Sequence, residues 1–148
     1  MKRFIAVMLL CALYLVSCAK EMCAEEILSD ICKEYPLDAT IYSSGRGENE
    51  SGYIDTEMLV TLYGTEAYPT EEFAIALYGK VDTVREIGVF ITKRGDDTTG
   101  LTELLSRRID FLSSAADGEG FVKKYRGATV YAFVADATRL EALLDSMM

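Results

Sequence analysis

Ala128-Thr129-Val130-Tyr131-Ala132-Phe133-Val134-Ala135 is apolar on both of its alternating sets, Val130, Ala132 and Val134 on one and Tyr131, Phe133 and Ala135 on the other. Successive side chains of a strand point to opposite faces, so such a run reads as a central strand. Two more apolar runs lie upstream. Phe73, Ile75 and Leu77 alternate with Ala74 and Ala76, and Ile87-Gly88-Val89-Phe90-Ile91 follows after the polar stretch 80–86. Thr70-Glu71-Glu72 also resembles a helix start and Gly79 a stop, but the alternation favours an antiparallel hairpin over a helix. Thr40-Ile41-Tyr42-Ser43 reads as a short edge strand.

Helical periodicity fills the intervals. From Glu21 to Tyr35, residues Ala24, Ile27, Leu28, Ile31, Cys32 and Tyr35 share one face, and Pro36 ends the segment. Asp55 is a candidate N-cap for a short helix from Thr56 to Tyr63, ended by Gly64. Thr99 to Ser114 sets Leu101, Leu104, Leu105, Ile109 and Leu112 on one side. Asp136 caps a last helix whose inner stripe is Leu140, Leu143, Leu144 and Met147. Residues 44–52, Arg94-Gly95-Asp96-Asp97 and Asp117-Gly118-Glu119-Gly120 read as loops and turns, and Lys123-Lys124-Arg126 as a solvated loop before the last strand. The expected class is α+β: an antiparallel sheet of about four strands with helices on one face, a two-layer sandwich.

The 148 residues suffice for one domain, and a chain half hydrophobic and 26% charged can bury a core. Histidine and tryptophan are absent, which excludes His-activated nucleophiles and His-ligated metals. Lys2 and Arg3 precede an apolar run from Phe4 to Val16, the pattern of a secretory signal. That run is shorter than the roughly 20 residues needed to cross a bilayer. Leu15-Val16-Ser17-Cys18 resembles the bacterial lipobox, which implies cleavage before Cys18 and a diacylglycerol on its thiol. The expected layout is a signal peptide over 1–17 and a single small domain over 18–148. Cleavage after Ala19 or Ala24, giving a freely secreted protein, is the alternative.

Loss of Lys2 and Arg3 would move the net charge from −9 to −11. Such an acidic chain repels phosphate backbones and anionic headgroups, so nucleic acid is not an expected partner. The expected link to the membrane is the N-terminal lipid, and the expected partner an envelope protein or polymer. The acids are concentrated in residues 18–77, whereas Lys93, Arg94, Lys123, Lys124 and Arg126 fall near strand ends in the later half. If the strand ending at Ile91 neighbours the one starting at Ala128, these five bases form a candidate patch for an anionic partner.

Other motifs read as ordinary structure. Ser17-Cys18-Ala19-Lys20 fits an S-x-x-K pattern but straddles the cleavage site, and Gly45-Arg46-Gly47 begins a G-x-G-x-x-G whose sixth position is Glu50. Arg94-Gly95-Asp96 is a turn, and Asp117 and Glu119 with Asp96 and Asp97 lack EF-hand spacing. Cys23 and Cys32, if on one helix, lie about 13 Å apart along its axis, too far for a disulfide. Arg108 points a charge toward the apolar side of the long helix, to pair with a buried carboxylate, snorkel, or bind an anionic ligand. No catalytic, metal or cofactor-binding constellation emerges.

Glu86 to Ile91, then Asp97, Leu104-Leu105-Ser106-Arg107-Arg108-Ile109 and the strand from Gly127 to Val134 resemble an uncharacterised family of small lipoproteins of Gram-positive anaerobes. The similarity covers about residues 50–148 and consists of hydrophobic patterns; a Tyr-Pro pair expected between the long helix and the last strand is absent. It implies location and fold, and no activity. The expected function is a non-enzymatic binding or assembly role at the cell envelope. The alternative is a carboxylate-based hydrolase of envelope material, which needs two acids about 5–9.5 Å apart.

Overall fold

The computed structural model describes residues 23–63, 70–79, 83–93 and 95–147. The expected signal peptide, Cys18 and Arg94 lie outside them. Helix α1 (Ala24–Glu34) starts at Cys23, whose Sγ accepts the Glu26 N–H at 3.4 Å. Strand β1 (Thr40–Ser43) leads through a loop to helix α2 (Thr56–Tyr63), where the Asp55 carboxylate accepts the Met58 N–H at 2.9 Å. Strands β2 (Glu72–Tyr78) and β3 (Arg85–Ile91) form the expected hairpin. Helix α3 (Thr99–Ala115), strands β4 (Glu119–Tyr125) and β5 (Ala128–Val134) and helix α4 (Ala137–Ser146) follow among the described residues.

The class is α+β, with every strand pair antiparallel in the order β1-β2-β3-β5-β4. Among the described residues the sheet has five strands where about four were expected. The extra one is β4: the segment Lys123-Lys124, expected as a solvated loop, pairs along its length with β5. Edge strands commonly carry lysines and glycines, which hides them in a hydrophobicity pattern. The turn between β4 and β5 is Arg126-Gly127, with φ of 47° and 81°. Two residues at positive φ match the twist of a tight hairpin.

The helices divide between both faces of the sheet, not one. On the first face, Ile27, Leu28 and Ile31 of α1 and Leu140 and Leu144 of α4 bury Ala74, Ala76, Ile87, Val89, Val130 and Ala132. On the second, Leu59 of α2 and Leu101, Leu104 and Leu105 of α3 bury Phe73, Ile75, Phe90 and Tyr131. The physical reason is that β2, β3 and β5 present apolar side chains both ways, and a single layer of helices would leave half of them in water. At about 25 cal/mol per Å² of apolar surface, that exposure would outweigh any fold's net stability. Cys23 and Cys32 are both free thiols, as their separation implied, and burial pushes the half-buried Cys32 up to about 11.

Gly88 faces Tyr131 across the β3–β5 ladder, and the phenol ring lies where a Cβ would stand. Gly88→Ala is therefore expected to cost about 2 kcal/mol through overpacking, read as a lower urea midpoint with an unchanged slope.

Candidate functional site

Charged groups gather in two places on this frame. The first is a buried node on the second face. Glu86 is the first β3 residue to point there, and its 1% exposure leaves the carboxylate with protein partners alone. Arg108, reaching over from α3, supplies two of them side-on: Nε donates to Oε1 at 3.0 Å and Nη2 to Oε2 at 2.7 Å. Its Nη1 donates to the Leu62 carbonyl at 2.9 Å, which ties the end of α2 to the same cation. The Tyr131 hydroxyl donates to Glu86 Oε1 and lies 2.6 Å from the Tyr63 hydroxyl. The guanidinium stands 5.6 Å from the rings of both Tyr63 and Phe111.

Burial, with the Glu86 charge beside it, holds the Tyr131 phenol well above the usual tyrosine range, and the same two causes raise Tyr63. Burial alone would pull the Arg108 guanidinium down, but its hydrogen bonds to Glu86 reverse that and raise it. Arg108 thus takes the buried-carboxylate option among those its sequence position left open. Its fork is spent on Glu86 and Leu62, an arrangement that binds helices to sheet.

The second place is an open cleft of about 800 Å³ at one end of the sheet. Phe90 of β3 pairs with Thr129 of β5, which brings Ile91 beside Ala128. Lys93, Lys124 and Arg126 line the cleft, together with Glu71, Glu72 and Asp96. The five expected bases are therefore not one patch. Lys123 points to the opposite face because side chains alternate along β4, and it meets Asp145 at 2.5 Å and Glu141 at 3.7 Å on α4. Arg94 is outside the described residues. Arg126 bonds Asp30 at 3.2 Å and lies over the Tyr125 ring, while Lys124 Nζ donates to Thr129 Oγ1 at 2.6 Å. Burial lowers Lys124 from its ordinary value.

Glu71 and Glu72 escaped sequence reasoning as acids of a site. Glu71 and Glu72 looked like the first turn of a helix, the competing reading of residues 73–78. In the structure Glu72 opens β2, and its Oε1 accepts the Ala24 N–H at 2.9 Å, which joins the start of α1 to the cleft. The Glu71 N–H donates to the Ile91 carbonyl at 2.8 Å. Glu86 was equally invisible as a partner for Arg108, although one acid opening an apolar strand and one base on an apolar helix face are a detectable pair of anomalies.

Among the described residues, no group of three or more acidic or cysteine side chains could hold a metal ion, and no helix is long and apolar enough to cross a membrane. No protein-family model matches the chain, no curated protein or solved structure is similar to it, and nothing there indicates an enzymatic activity.

Arg108→Met leaves a buried carboxylate without its cation and is expected to cost about 3–5 kcal/mol, whereas Glu86→Leu combined with Arg108→Met should recover most of the loss. Denaturant midpoints of the two variants check this. A second expectation concerns alkaline pH. Tyr63 and Tyr131 keep their protons in the fold while the unfolded chain releases its own near 10, so stability declines as pH rises above about 10. Tyr63→Phe with Tyr131→Phe should flatten that decline in melts between pH 9 and 11.

Proposed function

We propose that this chain is a lipid-anchored extracytoplasmic domain of a bacterial envelope, with a binding or assembly role and no chemistry of its own. The observation that carries the reading is the cleft of mixed charge whose wall includes Cys23, five residues after the lipobox cysteine. Clefts of several hundred Å³ with a few convergent polar groups are the usual form of a ligand site. The buried node supports the same reading in another way, since Glu86, Arg108 and the two phenols satisfy one another. The resemblance to small lipoproteins of Gram-positive anaerobes agrees with an envelope location.

A second reading, a carboxylate-based hydrolase, draws on Glu71, Glu72 and Asp96 sharing one cleft. Glu72 already accepts the Ala24 N–H, which leaves Glu71 and Asp96 as the pair to act. Release of soluble fragments from isolated envelopes, lost in Glu71→Gln, would favour it over the binding role.

Anchoring is tested by Triton X-114 partitioning of the chain expressed in a bacterial host. The wild type is expected in the detergent phase and Cys18→Ala in the aqueous phase. A wild type that stays aqueous like the variant removes the anchor.

A further inference from the structure

The cleft lies where the described residues begin. Cys23 lines the cleft, and the Ala24 N–H is held by Glu72, another lining residue. Four residues lie between Cys18 and Cys23, so the five steps of chain reach roughly 17 Å when fully extended. An acylated Cys18 would therefore keep Cys23 within that distance of its lipid, a tether short enough to let the cleft meet the headgroup layer.

The charges say what could fill it. Lys93, Lys124 and Arg126 offer donors to a phosphate, and Glu71, Glu72 and Asp96 offer acceptors to an ammonium. Glu72 and Arg126 are partly occupied by Ala24 and Asp30. The side chains of Lys93, Glu71 and Asp96 make no hydrogen bond or ion pair among the described residues. An anionic headgroup would meet both these acids and the repulsion of a chain near −11. A headgroup with one charge of each sign carries no net charge for the acidic chain to repel, and each of its ends has partners of opposite sign in the cleft.

Resting on the anchored reading, we infer that the cleft binds the phosphate-and-ammonium headgroup of a zwitterionic lipid in the membrane that holds the chain. Lys93 and Lys124 take the phosphate, and Glu71 and Asp96 take the ammonium. Ile91 and Ala128, the larger apolar residues of the lining, would lie beside the glycerol.

The test uses the full chain, 15N-labelled and purified in detergent, with the amides of Lys93, Gly95 and Gly127 as reporters. The probes are free glycerophosphoethanolamine, inorganic phosphate, and phosphatidylethanolamine or phosphatidylglycerol doped into the micelle. Saturable shifts are expected with phosphatidylethanolamine and glycerophosphoethanolamine. Lys93→Ser with Lys124→Ser should weaken both by about tenfold or more. Glu71→Gln with Asp96→Asn should weaken both while leaving the weak response to phosphate unchanged. Silence with phosphatidylethanolamine, an equal response to phosphatidylglycerol, or binding of the free phosphodiester alone overturns the inference. Phase partitioning of the same preparation separates the two claims. A wild type in the detergent phase with silent reporters sinks only the headgroup, and a wild type in the aqueous phase sinks the anchor.

Discussion

One ion pair, Glu86 with Arg108, sets the terms for the second face of the sheet. A carboxylate that is 1% exposed is costly to bury, and the side-on guanidinium with the Tyr131 hydroxyl offsets that cost. The same cation holds the Leu62 carbonyl, so one side chain of α3 fixes the end of α2 and the start of β3 together. The pair also sets the register. Slipping β3 by one residue would carry Glu86 to the first face, into the place Ile87 holds between Ala76 and Ala132, with the sheet between it and Arg108. Replacing both members by apolar residues could retain stability, but it would remove this penalty on the wrong pairing.

The aromatic layer follows from that geometry. Phe73 stacks on Phe90, and Tyr63 meets both Phe90 and Tyr131 edge-on, with centroids about 6 Å apart. Gly88 leaves room for the Tyr131 ring to lie on the sheet and bring its hydroxyl to Glu86. Small residues do corresponding work on the other face, where Ala74, Ala76 and Ala132 let α1 and α4 sit close to the strands.

Most of the fold was legible in the sequence because most elements are strongly periodic. The helices begin or end within a few residues of their expected bounds, and the hairpin of β2 and β3 follows from the alternation of Phe73, Ile75 and Leu77. Two features were not legible for physical reasons. Strand β4 holds Gly120, Lys123 and Lys124, a composition that signals a loop unless the pairing partner is known. The placing of helices on both faces was written in the two apolar sets of residues 128–135, yet which helix takes which face depends on connections that no local pattern records. For the site, Ile91 and Ala128 were expected to adjoin and do. Two of the acids beside the bases, Glu71 and Glu72, come from the start of β2, and only the pairing of β2 with β3 brings them there. Lys123 shows the limit of grouping charges by sequence proximity, since its neighbour Lys124 stands on the other side of the sheet.

The position of β4 at the rim has a consequence for crowding. An outer strand offers its unpaired backbone groups to any second copy, and two such strands meeting antiparallel would bring their Lys123-Lys124 segments together. Lys123 is compensated by Asp145 and Glu141 of its own α4, but Lys124 stands on the other side with a hydroxyl for company. Two copies of this domain would therefore resist joining through their β4 edges, however closely they are crowded.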